Sequence, residues 1–134
     1  MKVGSIILIA NFFAVSLAVA VDTITPNAEQ LEFFENKVRP LLADKCYRCH
    51  SAKAEEKEKL KAGLFLDSRA GLLKGGDSGS ALTPGDPSKS FLVEAVNYRN
   101  EDMEMPPKGK LKEEQIKILT DWVKMGAPWP GADT

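Results

Sequence analysis

Apolar residues recur at helical spacing in three segments of this chain, 29–42, 87–98 and 113–125. An apolar residue every three or four positions is typical of a helix with one buried face. The positions that we predict to face the core are Leu31, Phe34, Val38 and Leu41, then Phe91, Leu92 and Val96, then Ile116, Leu119, Trp122 and Val123. No segment shows the strong alternation that is typical of strands. The pattern therefore predicts an all-α fold, with few helices and long loops.

The ends of these helices have recognisable signals. Pro40 interrupts the first helix, and proline costs about 3 kcal/mol in a helix interior but fits a first turn, so we expect a kink or two short helices there. Asp86 is a plausible N-cap for the second helix, with Pro87 at its first position. Gly126 suits the end of the third helix, and Pro128 prevents its continuation.

Two segments between the helices carry motifs of their own. Residues 51–61 mix lysine with glutamate, which favours a solvated surface over a docking patch for a redox partner. Residues 71–86 are rich in glycine and proline, with Gly75-Gly76-Asp77-Ser78-Gly79 near the start. No Gly-Lys-Ser/Thr follows this glycine run, so we interpret it as turns and not as a phosphate-binding loop.

The N-terminus resembles a secretory signal peptide over residues 1–20. Lys2 provides the positive start, 6–19 the apolar run, and Ala18-Val19-Ala20 a small-residue cleavage site. The alternative is an uncleaved membrane anchor, but the apolar run is short for a full span. We therefore expect cleavage after Ala20 or Ala18, export to the periplasm or beyond, and no stable membrane insertion afterwards.

The remaining residues suggest one domain, at 33–130. It is flanked by a flexible lead at 21–32 and a tail at 131–134. The chain of 134 residues has 18 basic and 19 acidic side chains, and loss of Lys2 with the signal leaves 17 basic side chains and a net charge near −2. Nucleic-acid binding favours a basic face, so this balance argues against a nucleic-acid partner.

The candidate chemistry lies in Cys46-Tyr47-Arg48-Cys49-His50, which contains both cysteines and the only histidine of the chain. The pattern C-x-x-C-H is the attachment signature of a c-type haem. The two thiols can each add to a vinyl group, and the histidine that follows can bind the iron. We therefore predict one covalent haem c, held by Cys46 and Cys49, with His50 as an iron ligand.

Other interpretations of the cysteine motif fit less well. A thioredoxin-like C-x-x-C needs a βαβ setting, which the pattern does not show. A structural zinc site needs four ligands, and the chain offers only three cysteine and histidine side chains.

A second iron ligand must come from a residue other than histidine. The candidates are Met105, Met103, Met125, a lysine, water or an open position. Met105 precedes Pro106-Pro107, and two prolines stiffen the backbone, so a thioether there can be held against iron at little entropic cost. Met105 is our prediction, with Met103 as its main competitor.

Other side chains are candidates for contact with the haem. Arg39 and Arg48 could pair with the propionates, because guanidinium binds carboxylate well. Tyr47 and Trp129 could pack on the ring, whereas Trp122 fits the core of the third helix better.

The chain resembles the planctomycete-type cytochrome c domain over about 33–130. The matching motifs are Val38-Arg39-Pro40, Cys46 to His50, Gly63-Leu64, Leu66-Asp67-Ser68-Arg69, Gly75 to Gly79, Pro84-Gly85-Asp86-Pro87, Met105-Pro106-Pro107, Lys110-Leu111 and Gly126-Ala127-Pro128-Trp129-Pro130. The resemblance implies a class I-like cytochrome c fold, in which the N- and C-terminal helices cross. It also implies His50 as proximal ligand and Met105 as distal ligand.

The chain departs from this family in two respects. The family domain often precedes further domains in longer exported proteins, whereas we expect it to stand alone here, so no catabolic role is inferred. The family also often places Ser or Thr where this chain has Lys112.

The sequence therefore predicts an exported monohaem cytochrome that carries single electrons to and from redox partner proteins and is not itself an enzyme. The alternative is a ligand-binding or sensory haem domain, in which the distal methionine dissociates to admit a small gas.

Overall fold

A computed structural model of the chain describes residues 25–131, and this part contains six short α-helices and no strand. In chain order the helices are α1 (Ala28–Phe33), α2 (Arg39–Lys45), α3 (Ala52–Glu56), α4 (Arg69–Lys74), α5 (Phe91–Val96) and α6 (Glu113–Lys124). One π-helical turn, Phe34–Val38, joins α1 to α2, and 3-10 turns cover Pro87–Lys89 and Glu101–Met103. The predicted all-α class is confirmed.

The first predicted helix is interrupted, as the proline implies. Pro40 lies in the first turn of α2, and the Arg39 N–H donates to the Phe34 carbonyl across the π-helical turn. Because proline has no N–H to donate, a wider turn before it keeps the helix continuous without that bond.

The helix begins earlier than the predicted boundary of the domain. Asn27 and Gln30 form a reciprocal cap, in which each side-chain oxygen accepts a hydrogen bond from the other residue's N–H, at 2.9 and 3.0 Å. Residues 28–32 are therefore helical, which agrees with the helix predicted from residue 29 and means that this helix crosses the expected boundary between the lead (21–32) and the domain. A capping box gives enough hydrogen bonds to extend a helix by one turn beyond its buried face.

The N- and C-terminal helices meet in an aromatic cluster. The Phe34 ring centroid lies 5.8 Å from that of Trp122 in α6 and 4.4 Å from that of Trp129, which follows α6. Trp122 is fully buried and its Nε1 donates to the Pro128 carbonyl at 2.9 Å. Buried aromatic pairs at these distances contribute about 0.5–1.5 kcal/mol beyond area burial, so this cluster fixes where the two helices cross.

The third predicted helix is confirmed. It ends at Lys124 with Met125 as its C-cap, and Gly126 follows with φ +95°. All four predicted apolar positions of α6 are buried, namely Ile116, Leu119, Trp122 and Val123.

The prediction that residues 71–86 are loop missed α4. Ser68 caps this helix by accepting the Gly71 N–H at 3.0 Å, and Gly75 ends it with φ +74°. The Arg69 guanidinium donates to the carbonyls of Gly126 and Ala127, at 3.4 and 3.3 Å. The serine cap and the terminal glycine were readable signals, but the helix is too short to show an apolar period.

The second predicted helix is shorter than expected and one of its residues is not buried. Asp86 accepts the Ser88 N–H at 3.0 Å, but the turn that it caps is a 3-10 turn, and α5 begins only at Phe91. Leu92 and Val96 are buried as predicted, whereas Phe91 is 39% exposed. Phe91 lines a cavity and is not part of the core. Helical periodicity alone cannot distinguish a residue that lines a cavity from one that is buried in the core.

Replacement of Lys112 by Ser is expected to raise the free energy of unfolding by about 1 kcal/mol. Lys112 is the N-cap of α6, and its side chain caps no N–H of the first turn. A serine hydroxyl could accept one of these N–H groups, whereas the ammonium cannot. Lys112→Ala is the matched control, because it also removes the charge but supplies no acceptor. Equal unfolding free energies for the two haem-loaded variants would contradict the capping explanation.

No helix within residues 25–131 is long and apolar enough to cross a membrane. The predicted signal peptide at 1–20 lies outside the described residues.

Candidate cofactor site

The cysteine motif lies in tight turns that continue from the end of α2. The Cys46 N–H donates to the Leu42 carbonyl at 2.8 Å, and the N–H groups of Cys49 and His50 both donate to the Cys46 carbonyl, at 3.1 and 3.0 Å. The Ser51 hydroxyl then donates to the Tyr47 carbonyl at 2.6 Å. These bonds fold the motif back on itself, so that both thiols and the imidazole reach one cavity.

A second segment fixes the motif from the other side. The Lys61 N–H donates to the Cys49 carbonyl at 3.0 Å, and the Leu66 N–H donates to the His50 carbonyl at 2.9 Å. Asp67 accepts the Ala52 N–H at 2.9 Å, at the start of α3. Residues 61–67 therefore hold the histidine in place through the backbone.

The motif opens onto a cavity of about 490 Å³. Cys46, Cys49 and His50 lie on its wall together with Met103 and Met105. The apolar part of the wall includes Leu64, Leu66, Ala81, Leu92, Ala95 and Val96. The structure therefore brings together all four predicted site residues, which come from segments more than fifty positions apart.

His50 is only 8% exposed, and its buried Nδ1 has no hydrogen-bond partner among the described residues. Burial lowers the pKa of His50 below its ordinary value, and the backbone carbonyls of Leu64 and Lys61 oppose this shift only in part. The imidazole is therefore held in its neutral form, which is the form that binds a metal.

Both cysteines are free thiols. Burial, with a smaller contribution from the Asp44 carboxylate, raises the pKa of Cys46 to about 12. Redox-active cysteines have lowered pKa values, because the thiolate is the reacting form. The environment of Cys46 therefore disfavours a thioredoxin-like function for this pair.

The cavity fits an amphipathic, iron-bearing group such as haem. Among the described residues the exposed large apolar side chains are Leu73, Phe91 and Met105, and the last two line the cavity. An apolar ring would cover both of them, while His50 would supply a nitrogen ligand and the cysteines would supply two thiols. Haem c needs these ligands and thiols. The haem would also add buried apolar surface, which a chain of this size lacks.

The segment that bears the methionines is anchored to α5. The Met105 N–H donates to the Ala95 carbonyl at 3.1 Å, and the Tyr98 hydroxyl donates to the Pro106 carbonyl. Met103 ends a 3-10 turn in which its N–H donates to the Asn100 carbonyl at 2.9 Å. Both methionines line the cavity, and the direct backbone bond to α5 is made by Met105.

The two arginines that were candidates for the propionates do not line the cavity. Arg39 forms a bidentate pair with Glu35, at 2.7 and 3.0 Å, and its guanidinium lies over the rings of Phe34 and Trp129. Arg48 is exposed. The expectation for Arg39 is therefore wrong, because the aromatic cluster and the carboxylate engage its side chain.

The aromatic candidates also belong elsewhere. Trp122 and Trp129 are part of the helix-crossing cluster, and Tyr47 packs against the core, where its buried hydroxyl has no hydrogen-bond partner within residues 25–131. Burial raises the pKa of Tyr47 to about 12, so the phenol stays neutral. None of the three lines the cavity. Sequence periodicity identified only Trp122 correctly as core.

Sequence reasoning missed several residues that do line the cavity. Phe91 was predicted to be core, and Lys61 was assigned to a solvated segment. The glycine run was interpreted as turns that wrap a haem edge or simply form surface, and Gly76 to Gly79 do line the cavity. The glycine motif was the available signal, since clustered glycines indicate close backbone approach.

Residues 46–109 match the family model described as Planctomycete cytochrome C. This match confirms the resemblance drawn from the sequence motifs, and the all-α structure agrees with a cytochrome c-like fold. The matched residues, 46–109, include the cysteine motif, the glycine turns and the Met-Pro-Pro segment. No curated protein and no solved structure is significantly similar to the chain.

Proposed function

We propose that this chain, which matches the planctomycete cytochrome c model over residues 46–109, carries single electrons on one covalently bound haem. Cytochromes c as a family bind haem c through cysteine, and electron transfer is their usual role. The finer assignments are our own: one haem per chain, iron bound by His50 and Met105, and no substrate conversion by the protein alone.

A single observation carries this proposal. Cys46, Cys49, His50 and Met105 line the same largely apolar cavity, although Met105 is far from the others in sequence. Two thiols on one side, an imidazole beside them and a thioether from another segment make up the donor set of a His/Met haem c.

Each of these residues has a distinct task. Cys46 and Cys49 would hold the ring by thioether bonds, which would prevent dissociation of the cofactor. His50, buried and neutral, offers a nitrogen lone pair without first losing a proton. Met105, fixed to α5 through its backbone, offers a sulfur ligand, which raises the reduction potential relative to a second nitrogen. When bound, the haem supplies a one-electron iron couple.

The apolar part of the cavity wall supplies no reactive group. Leu66, Leu92 and Val96 are buried there. If His50 and Met105 both bind the iron, they would leave it no position for a substrate, which suits a carrier better than an enzyme.

We further propose that the protein is exported and exchanges electrons with other redox proteins. Cytochrome c domains are typically exported, and the N-terminal sequence fits a signal peptide. The nearly balanced charge makes nucleic acid an unsuitable partner.

A ligand-binding or sensory haem domain is the second candidate. One observation favours it: Met105 is 38% exposed, and an exposed thioether can leave the iron more easily than a buried one. Dissociation of Met105 would open a position for a small gas.

The reduced visible spectrum, with and without carbon monoxide, separates these two functions. We expect the protein, exported with a cytochrome c maturation system, to give a sharp low-spin spectrum that carbon monoxide leaves unchanged. His/Met ligation leaves no free position for the gas. A clear shift on addition of carbon monoxide would contradict the carrier proposal and favour the sensor.

A further inference from the structure

Besides the motif residues, five charged or hydroxyl side chains interrupt the apolar wall of the cavity. These are Lys45, Lys61, Asp77, Ser78 and Asp102. A haem carries two propionate carboxylates, on the edge away from the vinyl groups that the cysteines bind. A carboxylate in a partly dry cavity needs hydrogen-bond donors or a cation.

Three of the five residues are poor partners for a carboxylate. Asp77 and Asp102 only accept hydrogen bonds when ionised. Lys45 already has an ionic partner, because its Nζ lies 2.8 Å from the Asp44 carboxylate. The donors that remain are Lys61 and Ser78. Neither side chain has a hydrogen-bond or ion-pair partner within residues 25–131.

Ser78 belongs to a turn that its glycines hold tightly closed. The N–H groups of Gly76 and Gly79 each donate to the other residue's carbonyl, at 3.1 and 2.9 Å. A Cβ on Gly75 would lie 1.8 Å from the Gly79 carbonyl oxygen. The geometry of the turn therefore requires glycine.

The same turn is fixed against the segment that contains Lys61. The Asp77 N–H donates to the Ala62 carbonyl at 2.9 Å. A Cβ on Gly76 would lie 2.1 Å from that oxygen, so no side chain could fit between the two backbones. Ser78 and Lys61 therefore line the cavity from two segments that are in direct contact.

We propose that the turn Gly76–Gly79, together with Lys61, binds one propionate of the haem. The Ser78 hydroxyl and its N–H, which has no partner in the described part of the chain, donate to the carboxylate, and the Lys61 ammonium neutralises it. This inference rests on the proposed haem function. It assigns a role to the glycine motif and takes the place of the propionate contact expected for Arg39.

The charge of Asp77 has an effect on the reduction potential opposite to that of Lys61. Its Oδ1 lies 3.6 Å from where a Cβ of Gly63 would be, so the carboxylate rests against Gly63. Because Asp77 also lines the cavity, its negative charge opposes that of the propionate. A nearby cation favours reduced haem, which carries one positive charge fewer than oxidised haem, and a nearby anion favours the oxidised form.

The test measures the midpoint potential of haem-loaded variants at constant pH and ionic strength. We expect Lys61→Gln to lower the potential and Asp77→Asn to raise it. Lys59→Gln is the matched control, since Lys59 is an exposed lysine two positions from Lys61 that does not line the cavity. Because the Lys59 ammonium is in solvent and does not line the cavity, salt should screen most of its effect, so this control should stay close to wild type.

The hydrogen bond is tested separately by resonance Raman of the propionate bending band. We expect Ser78→Ala to shift the band and Ser78→Thr, which keeps the hydroxyl, to restore it. Ser80→Ala is the control, because the Ser80 hydroxyl donates to the Leu82 carbonyl and does not line the cavity.

The outcomes distinguish this inference from the proposed function. A wild-type chain that takes up no covalent haem overturns both. If every variant takes up covalent haem, two results would overturn the propionate site alone. These are equal midpoint potentials for Lys61→Gln and Lys59→Gln, or a propionate bending band that Ser78→Ala leaves unchanged. Opposite shifts for Lys61→Gln and Asp77→Asn, with the band restored in Ser78→Thr, support the site.

Discussion

Simultaneous replacement of Cys46 and Cys49 by alanine is expected to abolish covalent haem and, with it, the stable fold. The two thiols line the cavity and have no disulfide partner, so thioether formation is the chemistry available to them with haem. Without the cofactor, the cavity of about 490 Å³ is left unfilled.

The cost of that cavity can be compared with the stability of a small domain. At about 24 cal/mol per Å³, a closed, dry cavity of this size would cost about 12 kcal/mol. Since this cavity opens to water, that figure is an upper bound. Total unfolding free energies are about 5–15 kcal/mol, so even a part of this cost would remove much of the stability, and the double variant should unfold at a far lower temperature than the haem-loaded protein.

The measurement is haem staining after denaturing electrophoresis, followed by thermal unfolding. The single variants Cys46→Ala and Cys49→Ala are the controls, because each retains one thiol and should keep some stained haem. Haem that remains on the denatured double variant would contradict the attachment proposal. A double variant that unfolds like wild type would contradict the structural role of the haem.

Replacement of Met105 by alanine is expected to open the iron. The variant should bind carbon monoxide completely where the wild type binds none, and its potential should fall. A sulfur ligand favours reduced over oxidised iron. If its loss changes the equilibrium between the two by at least a factor of ten, the midpoint potential falls by at least about 60 mV for one electron.

Met103→Ala and Met125→Ala are the matched controls. Met103 lines the same cavity as Met105, whereas Met125 is the C-cap of α6 and does not line it. We expect both controls to retain a closed, low-spin iron with its thioether-to-iron absorption band. If Met105→Ala keeps that band and Met103→Ala loses it, the distal ligand is Met103.

Part of the fold could be predicted because some signals are local. The buried face of α6 follows from residues three and four positions apart, and its end follows from Gly126. The interruption at Pro40 follows from a missing N–H and a fixed φ. Each of these depends only on neighbours in sequence, which is why the structure agrees.

Other features could not be predicted because they depend on contacts between distant segments. Phe91 has the helical spacing of a core residue, yet it lines the cavity, since α5 presents its first residue to that side. Arg39 has a side chain suited to propionate, yet Glu35 and Trp129 engage it. A residue's chemistry can be read from the sequence, but its neighbours come from the packing.

The all-α class and the C-x-x-C-H motif could both be predicted from local patterns in the chain, and the two thiols and the imidazole of the motif suit the proposed haem. The residues that share the cavity with this motif depend on the packing of the helices and loops. Met105 reaches it because its N–H bonds to Ala95, and Ser78 reaches it because the glycine turn closes on Ala62. The Met-Pro-Pro and glycine motifs made these residues candidates, but hydrogen bonds between segments far apart in sequence set their positions.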